Sequence, residues 1–363
     1  MVDFTELEKA LSDKTLTKVI QVAPAVRVAI GEPFNYDAPT EKVTRQLVGA
    51  LRKLGFDYVF DTNFTADLVV LEEAAELVER IEHGGPFPLL NSCCPGFALF
   101  LEQKHPDLFM DYMSTTKSPM EAMGALIKTY FAQKKNLDAS KIYSVAAMPC
   151  LIKKLEAKRA DMKLPDGKAA VDYVITTKEI SELMKAKGLD LSSCEESDFD
   201  NLMGLGSGGA RIFGTTGGVS EAALRYYAHI KGINLGEPVV SGLRGFDNVR
   251  ELSFDLGGIP VKILVIHFLK NAGPILADKA LREKYNFIEV MACQGGCMGG
   301  AGQPATTPEL LQKRRKKLYG LDDSAKFKVS DENPELKTLY SEFLGEIGGA
   351  KAKELLHTRV KRV

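Results

Sequence analysis

The chain has no C-x-x-C pair, no internal repeat, no low-complexity tract and no long apolar run. The most apolar stretches, such as 261–269, fall far short of the ~20 residues that cross a bilayer. A charge excess is also missing: Lys and Arg total 47 against 48 Asp and Glu, a net charge of −1. Neither a nucleic-acid-binding face nor a solvating acidic tail is therefore expected. The amino terminus, MVDFTELEKALSDK, is polar and acidic, unlike a signal or transit peptide. These absences predict a soluble cytoplasmic protein that works without nucleic acid or membrane. Six cysteines in 363 residues are too few for a disulfide framework, and in a reducing compartment thiols point to metal or catalysis. With 45% hydrophobic residues the chain can bury a large core, as one domain or two lobes.

What is present concentrates in residues 289–304, EVMACQGGCMGGAGQP. An apolar run, 287–292, reads as a buried strand ending on Cys293, with Cys297 close behind among five glycines. Two soft thiolates in backbone nearly free of side chains suit a bulky inorganic cluster better than a bare ion.

Elsewhere, strands are expected at 18–22, 88–91, 142–147 and 171–176, and 57–71 reads as two short strands around a turn at 61–63. Residues 23–27 read as a loop, and 237–266 carry mostly strand signals. Helices are expected at 3–12, 40–54, 72–82, 96–104, 119–134, 178–187 and 219–230, with a lysine- and glutamate-rich helix after Cys150. The tail suggests helices at 307–316, 333–345 and 349–358. Alternating strands and helices predict an α/β fold: two lobes of mostly parallel sheets flanked by helices, a cleft between them and a helical carboxy-terminal wrap. The division expected is 1–304 for the main domain and 305–363 for the helical region.

Three strands end on cysteine: at Cys93-Cys94, at Cys150, and at Cys293 with Cys297. In open α/β sheets ligands bind beyond the carboxyl ends of strands. A single such cysteine is most often a small buried hydrophobe, but five at strand ends beside Pro and Gly point to one crevice. Zinc is the rival ligand, yet its sites usually show paired C-x-x-C knuckles, so a cluster with dispersed ligands fits better. Cys194, in a polar run, reads as a bystander.

The segments NSCCPGF (91–97), MPCLIKKLE (148–156) and EVMACQGGC…GQP (289–304) resemble the three signatures of the iron-only, di-iron hydrogenases. The resemblance runs from about Val19 to the end and includes APAVR (23–27), KSP (117–119) and IFGTTGG (212–218). It implies an H-cluster: a four-iron cubane linked through a cysteine to a di-iron unit bearing carbon monoxide, cyanide and a bridging azadithiolate. On that basis Cys94, Cys150, Cys293 and Cys297 hold the cubane, and Cys297 bridges to the di-iron unit. Cys93 exchanges a proton with the bridging amine. Lys153 pairs with one cyanide and the Pro24-Ala25 backbone with the other, while Met148, Met291, Phe213 and Pro119 line the site. On sequence alone Lys153 reads as a solvent-facing lysine, and Glu73, Glu76 and Arg80 as a solvated helix face. The resemblance instead places Cys93, Glu73, Ser114, Glu76 and Arg80 along a proton path.

The family usually has Thr, Trp and Gln where this chain has Asn91, Phe97 and Met120. These departures lie near the cofactor and leave room for a slow, hydrogen-sensing role beside the leading reading, reversible proton reduction with a ferredoxin. A third reading is a hydrogenase-like iron–sulphur assembly protein, against which the Cys93-Cys94 pair speaks. Only about 17 residues, none of them cysteine, precede the resemblance, so electrons are expected straight from an external carrier. A small acidic ferredoxin docking on Lys153, Lys154, Lys158 and Arg159 is expected, as are maturation proteins that build the di-iron unit.

Overall fold

The computed structural model describes residues 3–236, 242–255, 258 and 260–358. Its strands are β1 (Thr17–Val22), β2 (Tyr58–Asp61), β3 (Leu89–Leu90), β4 (Ile142–Met148), β5 (Tyr173–Thr176), β6 (Val249–Asp255), β7 (Pro260–His267) and β8 (Phe287–Met291). They form two sheets of four, ordered β2-β1-β4-β5 and β3-β8-β7-β6. The first is wholly parallel. The second is parallel from β3 through β8 to β7, and β6 joins β7 as an antiparallel edge. This is the expected α/β arrangement of mostly parallel sheets flanked by helices. β1, KVIQV after its first residue, is buried throughout, as a parallel strand covered on both faces must be. β6 alternates exposed and covered positions, which suits an edge. The part of the 237–266 strand signal at 237–241, 256–257 and 259 lies outside the described residues.

Residues 57–71 differ from expectation. Only β2 is a strand, and a single helix, Thr62–His83, follows it at once. The Asp61 side chain accepts the Asn63 amide and so caps that helix. Its first half, Thr62 to Ala74, is buried on every side, so the sequence carries no apolar stripe of helical period there. Gly84, at φ 82°, ends the helix in the left-handed conformation. Two further corrections are local. The 23–27 loop is a one-turn helix, Pro24–Arg27, started by proline at its first position. The helix after Cys150 is only Lys153–Glu156. A helix at Pro106–Asp111 was not expected from the sequence.

The tail forms helices Pro308–Asp323 and Pro334–Leu339, the second prolonged by a wider turn at Tyr340–Leu344, and then Ala350–Leu356. Leu336, Leu339, Leu344, Leu355 and Leu356 pack into one apolar cluster with Phe60, Phe64, Leu68 and Phe131. Arg314, fully buried, forms an ion pair with Glu32 at 2.5 Å and donates to the Met298 and Ala305 carbonyls, each at 2.7 Å. No helix among the described residues is long and apolar enough to cross a membrane.

Candidate active site

The carboxyl ends of parallel strands from both sheets meet at one cavity. β1 delivers Ala23, Pro24 and Ala25; β4 delivers Met148, Pro149 and Cys150; β3 leads to Cys93 and Cys94; β8 delivers Met291, Ala292, Cys293 and, a turn later, Cys297. Pro119, Lys153 and Phe213 also line the space. All five cysteines are half-buried and none forms a disulfide. Cys194 lies elsewhere, buried in the core beside the first sheet, its thiol donating to the Asp190 carbonyl at 3.3 Å.

The donor set discriminates between kinds of metal centre. Among the described residues no three Cys, His, Asp or Glu side chains stand close enough to hold one metal ion. Four thiols ringing a larger space instead match a polynuclear cluster, whose irons are each reached by one sulphur. Burial and the neighbouring Cys94 and Cys150 push the Cys293 thiol up to about 12. Burial likewise pushes Cys93 and Cys297 well above the ordinary thiol range. Iron held in the ring would reverse this, because coordination stabilises the thiolate form.

Close backbone packing builds the ring. At Gly300 an added Cβ would stand 2.3 Å from the Pro149 carbonyl oxygen, so only glycine lets the third cysteine segment lie on the second. Gly296, at φ 74°, meets the Gly214 carbonyl in the same way. The glycines therefore serve loop-to-loop contact as well as room for a cluster. Gln303 donates to the Ala25 carbonyl at 2.8 Å, tying the Pro24 turn to the same segment. Asn91 donates to Cys93 Sγ at 3.3 Å and accepts from the Val290 amide at 2.8 Å, joining β8 to the double cysteine.

Lys153 is not the solvent-facing residue its lysine-rich surroundings suggest. It is buried, its ammonium 2.7 Å from Glu156 and 3.3 Å from the Cys93 carbonyl. Burial alone would lower its pKa; the Glu156 carboxylate outweighs that and holds it raised, so the cavity contains a fixed cation. The expected basic docking patch fails for the same reason. Lys153 points inward, Lys154 pairs with Glu179, and Arg159 pairs with Glu102 and Asp161. Of the four, Lys158 is the exposed one.

The helix Thr62–His83 brings its polar face to the double cysteine. Ser92 donates to Glu73 Oε1 from its amide at 3.2 Å and its hydroxyl at 3.0 Å. Ser114 donates to Glu76 Oε2 at 2.9 Å, and Arg80 donates to Glu76 Oε1 at 3.0 Å. Burial, with the Glu76 charge adding to it, raises Glu73 to about 7 against the lowering effect of Ser92. The Glu73 charge acts on the nearby Cys93 thiol, Ser114 and Arg80 both bond to Glu76, and Glu76 and Arg80 line an open surface cleft. Asn91, Ser92 and Gln303 were absent from the sequence-derived roles. The first two flank the double cysteine and the third sits in the GQP motif, so adjacency was the signal available.

The chain matches the model of the iron-only hydrogenase large subunit, C-terminal domain, over residues 17–301, and that of the iron hydrogenase small subunit over 308–362. It is 41% identical over 362 residues to the NADP-reducing hydrogenase subunit HndD of Solidesulfovibrio fructosivorans, covering 97% of this chain and 61% of that protein. Against iron hydrogenase 1 of Clostridium pasteurianum identity is 38% over 364 residues, covering 98% and 63%. The chain thus spans under two thirds of the length of these relatives. The solved apo [FeFe]-hydrogenase HydA1 of Chlamydomonas reinhardtii, variant C377H, superposes with a TM-score of 0.83 at 37% identity, over 97% of this chain and 98% of that one. More distant similarity, 32% identity over 95% of this chain and 74% of the relative, reaches a cytosolic Fe-S cluster assembly factor, narfl, of Xenopus tropicalis. Parallel-strand ends carrying three cysteine segments to one cavity, together with these matches along nearly the whole chain, make this protein a member of the iron-only hydrogenase family.

Proposed function

We propose that the protein catalyses 2H⁺ + 2e⁻ ⇌ H₂, with a ferredoxin-type carrier in the cytoplasm supplying or taking the two electrons. The observation that carries this reading is a cavity lined by five cysteines, four of them in the positions of cluster ligands and the fifth, Cys93, near the buried Glu73 carboxyl. The family's H-cluster, when bound, supplies redox-active iron at which protons and electrons combine. Cys94, Cys150, Cys293 and Cys297 are assigned as cubane ligands, with Cys297 linking to the di-iron unit. Maturation proteins are assigned as the source of that unit with its carbonyl, cyanide and azadithiolate groups.

The chain's own residues do the rest. Lys153 provides a buried positive charge for an anionic cyanide, and the Pro24-Ala25 backbone is assigned to the second one. Met148, Met291, Phe213 and Pro119 keep water from the site. Cys93 holds or yields a proton at Sγ, and Glu73 receives it in a setting where its carboxyl is poised near neutral pH. Ser114, Glu76 and Arg80 extend the relay outward. Leu151 and Leu155, 44% and 56% exposed in the segment after Cys150, offer the carrier an apolar side of approach.

A hydrogen-sensing role is the second reading, favoured by Asn91 in direct contact with the Cys93 thiol at the position where the family usually has Thr. The test is anaerobic maturation followed by infrared spectroscopy and gas chromatography. Carbonyl and cyanide bands with brisk hydrogen evolution support the enzyme. Bands with only a trickle of hydrogen support the sensor, and no bands would remove both in favour of an assembly role. Cys93→Ala and Glu76→Ala should keep the bands and lose nearly all turnover.

A further inference from the structure

The glutamate helix carries a buried carboxylate, Glu72, directly beside Glu73, that the relay leaves unused. Glu72 is buried and accepts three hydrogen bonds, all from the carboxy-terminal region: Tyr340 Oη at 2.5 Å, the Gly348 amide at 3.0 Å and His357 Nε2 at 3.0 Å. With Nε2–H donating to Glu72, Nδ1 of a neutral ring is an acceptor, and the Thr115 hydroxyl lies 2.8 Å from it. Thr115 is in turn committed on every polar atom. Its amide donates to Glu76 Oε2 at 3.1 Å, and its carbonyl accepts from the Thr358 amide at 2.6 Å and the Thr358 hydroxyl at 3.1 Å. The Lys117 amide donates to the Leu356 carbonyl at 2.7 Å, and Thr116 and His357 form an antiparallel bridge. The residues that hold Glu76 from one side are therefore themselves held by the tail.

We propose that His357 is a positioning residue for the proton relay: through the Thr115 hydroxyl it fixes the Thr115 amide on Glu76, so the carboxy-terminal region completes the outer end of the path. The effect on turnover rests on the function proposed above; the effect on Thr115 does not. Among the described residues Glu76 Oε2 accepts from the Ser114 hydroxyl and the Thr115 amide. Freeing one lets the carboxylate leave the line between Glu73 and Arg80. The open cleft at this end is lined by Glu72, Glu76, Thr115, His357 and Thr358 together, so both arms of the clamp reach the surface at the point where protons enter.

The test uses the full chain with His357→Ala, Thr115→Val and the double variant. After maturation, His357→Ala is expected to lower kcat roughly tenfold, the cost of a lost aligning hydrogen bond, with KM for the electron donor and the infrared bands unchanged. Thr115→Val, which keeps the amide and removes only the hydroxyl, should reproduce the loss, and the double variant should be no slower than either. In the unmatured chain, amide exchange at Ser114 to Thr116 should quicken in both single variants. Full kcat in His357→Ala, losses that multiply in the double variant, or unaltered exchange at Thr115 would each overturn the proposal. Should His357→Ala not fold, Thr115→Val alone decides it by the same two readouts. Absence of turnover in the unsubstituted matured protein would count against the proposed function, while the exchange measurement would still judge the clamp.

Discussion

Glu73 shows how burial sets the chemistry of a single side chain. Its carboxyl rises from 4.5 to about 7 because burial disfavours the charge and Glu76 adds repulsion. The folded chain therefore keeps a proton that the unfolded chain has already released between those two values. Stability from this residue is fully present below about pH 4.5 and is lost as the pH rises toward 7, a change on the order of 3 kcal/mol. Glu73→Gln stays neutral, so in urea unfolding its stability relative to the unsubstituted chain should improve from pH 5 to pH 8; parallel pH dependences would contradict this. At this scale the cysteines were legible because short, dense motifs surround them. Lys153 was legible only by family likeness, since nothing local marks one lysine of a lysine-rich segment as buried. His357 and Glu72 were not legible at all: they meet across most of the chain's length, and neither stands in a motif.

The one-turn helix Pro24–Arg27 and the helix Thr62–His83 are fastened to each other by one residue. Asp61 caps the second at the Asn63 amide, 2.8 Å away, and receives Arg27 of the first at 2.5 and 3.1 Å, all out of water. Asp61→Ala should lower unfolding stability by about 3–5 kcal/mol, because the Arg27 charge stays buried without its partner. Asp61→Asn, which can still cap, should recover about 1 kcal/mol of that. Thermal unfolding of the three proteins checks it, and equal losses in both variants would show that the cap contributes nothing. The Thr62–His83 helix also explains the longest segment misread from sequence. Its first half, buried all round and holding Phe64, Thr65, Val69 and Val70, presents residues that a buried strand also uses, and only contacts distant in sequence decide between them. The parallel strands were readable because β-branched runs bounded by Gly and Pro have few other uses.

Across the molecule, Arg314 draws the tail, the first sheet's loops and the third cysteine segment to one point through Glu32, Met298 and Ala305. Arg314→Met should cost about 3 kcal/mol and, since Met298 adjoins Cys297, should make the matured protein shed iron faster under mild urea, measured as chelatable iron with time. Iron release at the unsubstituted rate would show that the tail does not steady that segment. The layout of two sheets around a cleft was readable from alternating elements, whereas this three-way junction was not, because a lone arginine in a basic stretch resembles its solvated neighbours. The division of the thiols between the sheets has its own consequence: Cys150 hangs from the first sheet, and Cys94, Cys293 and Cys297 hang from the second. A cluster bound to all four ties distant points of the chain into closed loops and so removes conformations from the unfolded ensemble as well as contacts from the solvent. Such a group would be a clasp on the polypeptide whatever chemistry it supplied, and its oxidative loss would unlock the two halves at once.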